Sequence, residues 1–153
     1  MKQKIERIET VLAGAFLILM VAMIFTGGVA RMMRMPLNMT IDLATCSFAW
    51  ATFLAADIAW RRDMLISVRL LPEKLPPRAA YWLVMVNFAI ILALLAYGVT
   101  AGGWLAWVSR ARSFQGLPGV SYSWVTAALP VGSALMFATT LGKICDHWRE
   151  GPP

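Results

Sequence analysis

The chain has 153 residues, of which 59% are hydrophobic and only 14% are charged. A soluble domain has about 45–50% apolar and about 25% charged residues, so this composition excludes a water-soluble fold and indicates a protein surrounded by membrane lipids. The net charge of +6 would favour a nucleic-acid partner in a soluble protein. Here the basic residues stand at the ends of apolar stretches, and we expect no nucleic-acid partner.

The first apolar stretch follows three basic residues and predicts a transmembrane helix over about 9–30. It resembles a secretory signal, because small residues at Gly28 and Ala30 end it, and cleavage is therefore an alternative. A cleaved signal has an apolar stretch of about 7–15 residues, whereas this one reaches the roughly 20 residues that a bilayer requires. We expect this helix to remain in the mature protein.

The second span is predicted over about 41–60, and Thr40 or Asp42 is a candidate cap for its free backbone N–H groups. Its one deep polar side chain is Asp57. Asp57 and Arg61 are four residues apart and share a helix face, which predicts an ion pair at the end of the helix. Asp57 is also the best lone candidate for ion coupling, but the pairing with Arg61 favours a structural role.

A polar connector over 61–78 separates the second span from the third and carries five of the fourteen Lys and Arg residues. Most of its apolar residues fall on one side of a helical wheel, which predicts a short amphipathic segment in the membrane interface. Pro72, Pro76 and Pro77 would end a helix there. An irregular loop that dips into the headgroups is the alternative.

The third and fourth spans are predicted over about 79–108 and 121–144. Asn87 lies inside the third span, where an amide usually bonds to a neighbouring helix; a ligand contact is the alternative. Together the pattern predicts an all-α integral membrane protein, a single membrane domain over 1–153. It has four transmembrane helices and an interfacial amphipathic segment between the second and third.

Small residues in the last two spans predict surfaces for close helix packing. Gly98 and Gly102 are four residues apart and form a ridge that a second helix backbone can approach. Pro130 removes one helical hydrogen bond and should kink the fourth span, where Gly132 can absorb the disturbance. Four helices cannot bury every such surface against one another, so we expect Gly98, Gly102, Pro130 and Gly132 to include contacts with a partner subunit.

The Lys and Arg residues orient the chain. An inside N-terminus places ten of them on the cytoplasmic side and four outside, which predicts that both termini are cytoplasmic. Six of the seven tryptophans then fall at the two membrane interfaces, where aromatic belts lie. The residues predicted to anchor the chain at the interfaces are Trp60, Arg61, Arg62, Arg69, Trp82, Trp104, Trp107 and Trp124.

Groups that catalysis requires are missing from the sequence pattern. His147 is the one histidine, and it lies beyond the last span. Cys46 and Cys145 fall near opposite membrane faces, so we expect no disulfide. We therefore expect no enzyme, no cofactor and no metal site. A membrane-anchor subunit of a redox complex would require intramembrane histidines, and a small self-assembling exporter or channel would require a carboxylate deeper than Asp57. The pattern favours a partner subunit.

Ordered motifs carry a resemblance to a known family. The second span and connector contain Trp50-Ala51-Thr52-Phe53-Leu54-Ala55-Ala56, Arg61-Arg62, Ile66-Ser67-Val68 and Leu75-Pro76. The last third contains Leu117-Pro118, Trp124, Leu129-Pro130-Val131-Gly132 and Leu135-Met136. In this order they resemble the small permease subunits, called DctQ-type, of tripartite ATP-independent periplasmic (TRAP) transporters. Leu65, where the family often has histidine, and Thr45, where an arginine is expected, depart from the pattern.

The resemblance implies a function that the residues alone do not give. It implies a bacterial inner-membrane uptake system in which a large DctM-type permease carries the substrate and sodium sites. A periplasmic substrate-binding protein would deliver an organic acid to that permease. The small subunit would scaffold the large one, which implies partners for this chain but no substrate site of its own.

Overall fold

A computed structural model describes residues 2–62, 64 and 77–150 of the chain. The helices are α1 (Lys2–Met32), α2 (Asn38–Arg61), α3 (Pro77–Val108), α4 (Ser123–Thr126) and α5 (Ala128–Glu150), with a 3-10 turn at Ser109–Ala111. Four helical regions are long and apolar enough to cross a membrane: Glu6–Met32, Asn38–Arg61, Ala79–Ala111 and Ser123–Arg149. The prediction of an all-α membrane protein with four spanning helices is confirmed.

The predicted interfacial connector lies almost wholly outside the described residues. Of 61–78, the structure describes Arg61, Arg62, Met64 and the start of α3. Arg69 is among the residues that are not described. The amphipathic segment therefore stays a prediction.

The helices stand in an open row in the order α1, α2, α5, α3. The backbone of α1 approaches only that of α2, the backbone of α5 lies between those of α2 and α3, and α1 does not approach α3 within the described residues. A closed four-helix bundle would bring the first and last helices of this row together. No other helix among the described residues therefore lies against either broad face of the row.

Burial follows from this arrangement. Over the part of the chain that the structure describes, only five apolar residues are buried: Ala44, Ala51, Leu54, Phe114 and Ala128. Three of them belong to α2, the helix with α1 on one side and α5 on the other. Large apolar side chains on α1 and α3 are mostly exposed, as expected of helices at the two ends of a row in lipid.

The start of α2 differs from the sequence prediction. The helix begins at Asn38, and its N-cap residue Leu37 makes no side-chain cap. The Thr40 hydroxyl donates to the Leu37 carbonyl oxygen at 2.7 Å, and Asp42 Oδ2 accepts a hydrogen bond from the backbone N–H of Gly116 at 2.7 Å. The prediction that Thr40 or Asp42 caps α2 is wrong, because the helix starts before both and each side chain has another partner.

The break in the fourth span lies one turn before Pro130. The helix is interrupted at Ala127, which separates α4 from α5. Proline has no N–H, and its ring crowds the carbonyl of the residue four positions earlier; for Pro130 that residue is Thr126, the last of α4. The missing hydrogen bond and the break therefore coincide, as the sequence predicted for this region.

Three glycines in the last two spans, Gly98, Gly102 and Gly132, pack closely against helices of this same chain. A Cβ added to Gly98 would lie 2.7 Å from Ser133 Oγ, and one added to Gly102 would lie 2.9 Å from Pro130 Cδ. We call this contact of Gly98 and Gly102 on α3 with Ser133 and Pro130 on α5 the glycine seam. Gly132 packs equally closely against a residue of α2, the Phe53 ring.

The glycine seam shows what these small residues meet within the chain. Gly98, Gly102, Pro130 and Gly132 were expected to include contacts with a second subunit, and each packs against a helix of this chain; a contact with a second subunit stays a prediction. The small residues allow the close approach that the sequence indicated. Open space instead surrounds Gly14 and Gly28 on α1 and Gly103 on α3.

The loop between α3 and α4 is packed onto the start of α2. The Phe114 side chain is buried, and Ser113 forms an isolated β-bridge with Ser121. Gly116 lies so close to the backbone of Asn38 and Met39 that a Cβ would overlap it. The absence of a side chain at Gly116 therefore lets the loop reach α2 and donate its N–H to the Asp42 carboxylate.

Candidate functional site: a charged cluster across three helices

Asp57 is fully buried, and both of its carboxylate oxygens have partners within the chain. Arg61 Nη2, one turn later on α2, donates to Asp57 Oδ2 at 2.6 Å. The Thr139 hydroxyl on α5 donates to Asp57 Oδ1 at 2.8 Å. The structure thus brings together the Asp57 and Arg61 pair that the sequence predicted, and it adds a hydroxyl from another helix.

Arg61 extends the contacts to a third helix. Its Nη2 also donates to Glu9 Oε1 on α1 at 2.9 Å, and its Nε donates to Thr139 Oγ1 at 3.1 Å. The Thr139 hydroxyl therefore accepts from Arg61 while it donates to Asp57. We call Glu9, Asp57, Arg61 and Thr139 the charged cluster. It joins α1, α2 and α5 at the level along the helix axes where α1 begins and α2 ends.

Two further contacts flank the charged cluster. Arg62 Nε donates to Glu6 Oε1 at 2.8 Å, in a more exposed position than the Arg61 pairs. On the other side, Trp60 Nε1 donates to the buried Thr140 hydroxyl at 3.0 Å, and the Lys143 ammonium lies 4.7 Å from the centre of the Trp60 ring. These contacts add a second link from α2 to each of its neighbours.

The balance of charge within the cluster is uneven. Two carboxylates, those of Glu9 and Asp57, share one guanidinium. The second oxygen of Glu9, Oε2, is buried and has no hydrogen-bond partner in the part of the chain that the structure describes. Both oxygens of Asp57, the Thr139 hydroxyl, and Nε and Nη2 of Arg61 bond to one another or to Glu9. This arrangement is suited to holding helices together rather than to binding a substrate.

The cluster does not have the make-up of a metal site. Over residues 2–62, 64 and 77–150, no group of three His, Cys, Asp or Glu side chains converges. The Arg61 guanidinium fills the space between the two carboxylates, and a cation placed there would meet a positive charge.

The predicted interfacial residues fall into two groups. Trp82, Trp104, Trp107 and Trp124 are exposed on the surface of the row, where lipid headgroups can reach them. Trp60 is only partly exposed and bonds to Thr140. Their anchoring roles, like that of Arg69, stay predictions.

Glu9 and Thr139 belong to the charged cluster although the sequence analysis did not select them. Glu9 was placed at the edge of the first span, and its three-residue spacing from Glu6 gives both carboxylates one helix face. Thr139 stands in an apolar span as one of two consecutive threonines. The spacing of the two acids was a usable signal; nothing local pairs Thr139 with Asp57.

Comparison with known proteins identifies the chain's relatives. The model of the family described as tripartite ATP-independent periplasmic transporters, DctQ component, matches residues 7–150. The chain belongs to this family. No curated protein sequence matches it. The resemblance found in the ordered motifs is therefore confirmed, and the chain is a small membrane subunit of the TRAP transporter type.

The DctQ match includes the whole charged cluster and all but the first residue of the four spanning regions. Membership gives this subunit a place in a multi-component transporter rather than in a redox complex or a self-assembling exporter. A DctQ component is by its description one part of a multi-component transporter, and the charged cluster of this chain is bonded internally.

Proposed function

We propose that this DctQ subunit is a non-catalytic scaffold for a large DctM-type permease in a bacterial inner membrane. The assembled transporter takes up an organic acid, delivered by a periplasmic substrate-binding protein and coupled to sodium. The substrate class, the sodium coupling and the partners rest on the family. The scaffold role is supported by the open row of four helices, in which no helix among the described residues lies against either broad face.

The polar groups of the subunit support a scaffold rather than a transport site. A transporter binds its substrate where several polar groups converge on a cavity near the membrane midplane. Asp57, the one buried carboxylate of α2, has both oxygens bonded to this chain. We therefore propose that Asp57 holds helices in place and does not bind sodium.

Asn87 supports α3 as a helix that meets the large permease. Its side chain is exposed and makes no hydrogen bond that involves the described residues. It stands five residues after Trp82, about 7 Å further along the helix axis, and so within the apolar span. An unbonded amide in hydrocarbon is costly, and a hydrogen-bonding group on a partner helix would remove that cost.

Co-purification with the large permease tests this contact. Asn87→Leu removes the amide at nearly constant size and should lower the amount of permease recovered by about threefold or more. Thr100→Val is the matched control, because Thr100 is exposed on the same helix but already donates to backbone carbonyls of Ala96 and Tyr97. Equal recovery from both variants would show that the Asn87 face does not meet the permease.

The scaffold proposal itself is tested by reconstitution. The purified chain in liposomes with a sodium gradient should take up no organic acid, whereas the co-purified complex with its binding protein should. Uptake by this chain alone would overturn the proposal.

The bias of ten basic residues against four leads us to propose that both termini are cytoplasmic. Reporter enzymes fused after Arg34 and after Arg149 give the readout. Periplasmic activity of the fusion after Arg149 would contradict this orientation.

A further inference from the structure

A groove of about 610 Å³ lies between α1 and α2, near the loop that joins them and so on the opposite membrane side from the charged cluster. Met20 and Phe48 line its deep end, and Gly28 and Arg31 line it nearer the loop that joins the two helices. Its volume is within the range of about 300–1,000 Å³ found for small-molecule sites. The groove opens on the surface of the row, where lipid surrounds it.

The length of the groove matches one leaflet of a bilayer. From Met20 to Arg31, α1 rises about 16 Å. The hydrocarbon core of a bilayer is about 30 Å thick, so one leaflet contributes about 15 Å. The groove therefore extends from the level of the headgroups nearly to the midplane.

Arg31 supplies a positive charge at the headgroup end. Its side chain is exposed and makes no ion pair with the residues that the structure describes. A guanidinium presents a fork of donors that suits phosphate oxygens. A free Arg31 at the mouth of an apolar groove is thus placed to hold an anionic headgroup.

The walls of the groove present apolar surface, because the two threonine hydroxyls that line it already donate to backbone carbonyls. The Thr40 hydroxyl donates to the Leu37 carbonyl and the Thr45 hydroxyl to the Ile41 carbonyl. No free hydroxyl donor from these two residues remains for a polar partner. A helix of another protein would cover the apolar walls but would need to bring its own anion to Arg31, whereas a phospholipid carries both parts.

We propose that the groove between α1 and α2 binds one phospholipid, with an acyl chain along Met20, Gly28 and Phe48 and the phosphate on Arg31. This inference goes beyond the scaffold function and does not depend on it. The bound lipid would add to the surface of the row beside α1 and fill a groove that the described helices leave open.

Lipid retention by the purified full-length chain tests the proposal. The chain is held in mild detergent with phosphatidylglycerol or phosphatidylethanolamine of defined acyl chains, and bound lipid is counted by native mass spectrometry. Gly28→Leu places a side chain in the groove without a clash, since nothing lies within 4 Å of a Cβ there. We expect this variant to lose the lipid that the wild type retains.

Gly14→Leu is the matched control. Gly14 is also on α1 with nothing within 4 Å of an added Cβ, but it does not line the groove. It should retain lipid like the wild type, and a circular-dichroism spectrum should show both variants equally helical. Retention of lipid by Gly28→Leu would overturn the proposal.

The charge requirement is tested separately, so the proposal remains falsifiable if Gly28→Leu does not fold. Arg31→Gln should weaken retention of either lipid by about tenfold or more, as expected for loss of a hydrogen bond to a charged group. Arg34→Gln, a neighbouring exposed arginine outside the groove, should leave retention unchanged. Equal effects of the two variants would overturn the phosphate contact with Arg31.

The remaining possible outcome is that a helix of the large permease, not a lipid, occupies the groove. If Gly28→Leu abolishes recovery of the large permease, and the wild-type chain binds neither lipid, then a protein helix occupies the groove and the phospholipid is excluded. Retention of either lipid by the wild type, lost in both Gly28→Leu and Arg31→Gln, supports the site.

Discussion

Where α2 meets α1 and α5, three charged side chains and one hydroxyl cross between the helices; where α3 meets α5, two glycines make the contact. The charged cluster lies near the helix termini, where α1 begins and α2 ends, and the glycine seam lies further inside the spans. Both join helices that have no hydrophobic drive toward each other in lipid. The charged cluster joins them by hydrogen bonds and ion pairs between side chains. The glycine seam joins them because glycine has no side chain to keep the helices apart.

The two kinds of contact should fail in different ways. In the charged cluster, each member makes hydrogen bonds to more than one partner or to a charged group, so removal of one member should cost more than a single neutral hydrogen bond. In the glycine seam no bond is lost when a residue changes; an added side chain forces the helices apart, and the loss depends on how far they can move. Variants at each contact can therefore separate the two mechanisms.

The largest effect is expected at Asp57. Asp57→Ala leaves Arg61 paired with Glu9 but removes two hydrogen bonds to a buried carboxylate, those from Arg61 and Thr139. At about 1.5–3 kcal/mol for each bond to a charged group, the free energy of unfolding should fall by about 3–5 kcal/mol. Unfolding of the purified chain by added denaturing detergent, followed by circular dichroism, measures the loss. The matched control is Asp42→Ala on the same helix, where only the Gly116 N–H loses its acceptor; about 1–3 kcal/mol is expected. A loss under 1 kcal/mol at Asp57 would show that the cluster does not stabilise the row.

An intermediate effect is expected in the glycine seam. Gly102→Leu drives a side chain into Leu129 and Pro130 of α5, which lie about 3 Å from the position of a Cβ, and should cost about 1–3 kcal/mol. Gly103→Leu adds the same side chain one position later, where nothing lies within 4 Å, and should be neutral or slightly stabilising because leucine favours a helix more than glycine does. Equal losses in the same unfolding assay would show that Gly102 is not a special position.

The smallest effect is expected at the exposed ion pair beside the cluster. Glu6→Gln breaks the contact with Arg62, whose side chain is about half exposed, and should cost between about 0.2 and 1 kcal/mol. Because water and salt reach this pair, the difference from wild type should shrink further in high salt. A loss as large as that of Asp57→Ala would mean that Glu6 belongs to the buried network.

The sequence predicted what depends on neighbours along the chain. Apolar length predicted the four spans, and the four-residue spacing predicted that Asp57 and Arg61 share a helix face. The helix break before Pro130 followed from the chemistry of proline. Each of these depends on residues within a few positions of one another, which one sequence contains in full.

Contacts between residues far apart in the chain could not be predicted from the sequence. Thr139 meets Asp57 across 82 positions, and no local spacing marks it as a partner. Gly98 and Gly102 were expected to permit close packing, but the sequence did not say that the helix they meet is α5 of the same chain. The predicted caps on α2 failed because the helix begins at Asn38, a boundary that weak terminal signals set poorly.

The order of helices in the row has a consequence for how the chain is made. During synthesis α1 and α2 emerge first and can pair at once, but α3 then emerges with no backbone neighbour, since its place is beyond α5. Only when the segment Ser123–Arg149 enters the membrane between α2 and α3 does Asp57 gain Thr139 as its second partner, and only then do Gly98 and Gly102 meet α5. The segment Ser123–Arg149 thus completes both the charged cluster and the glycine seam, and a subunit truncated before it would consist of a helix pair and a detached third helix.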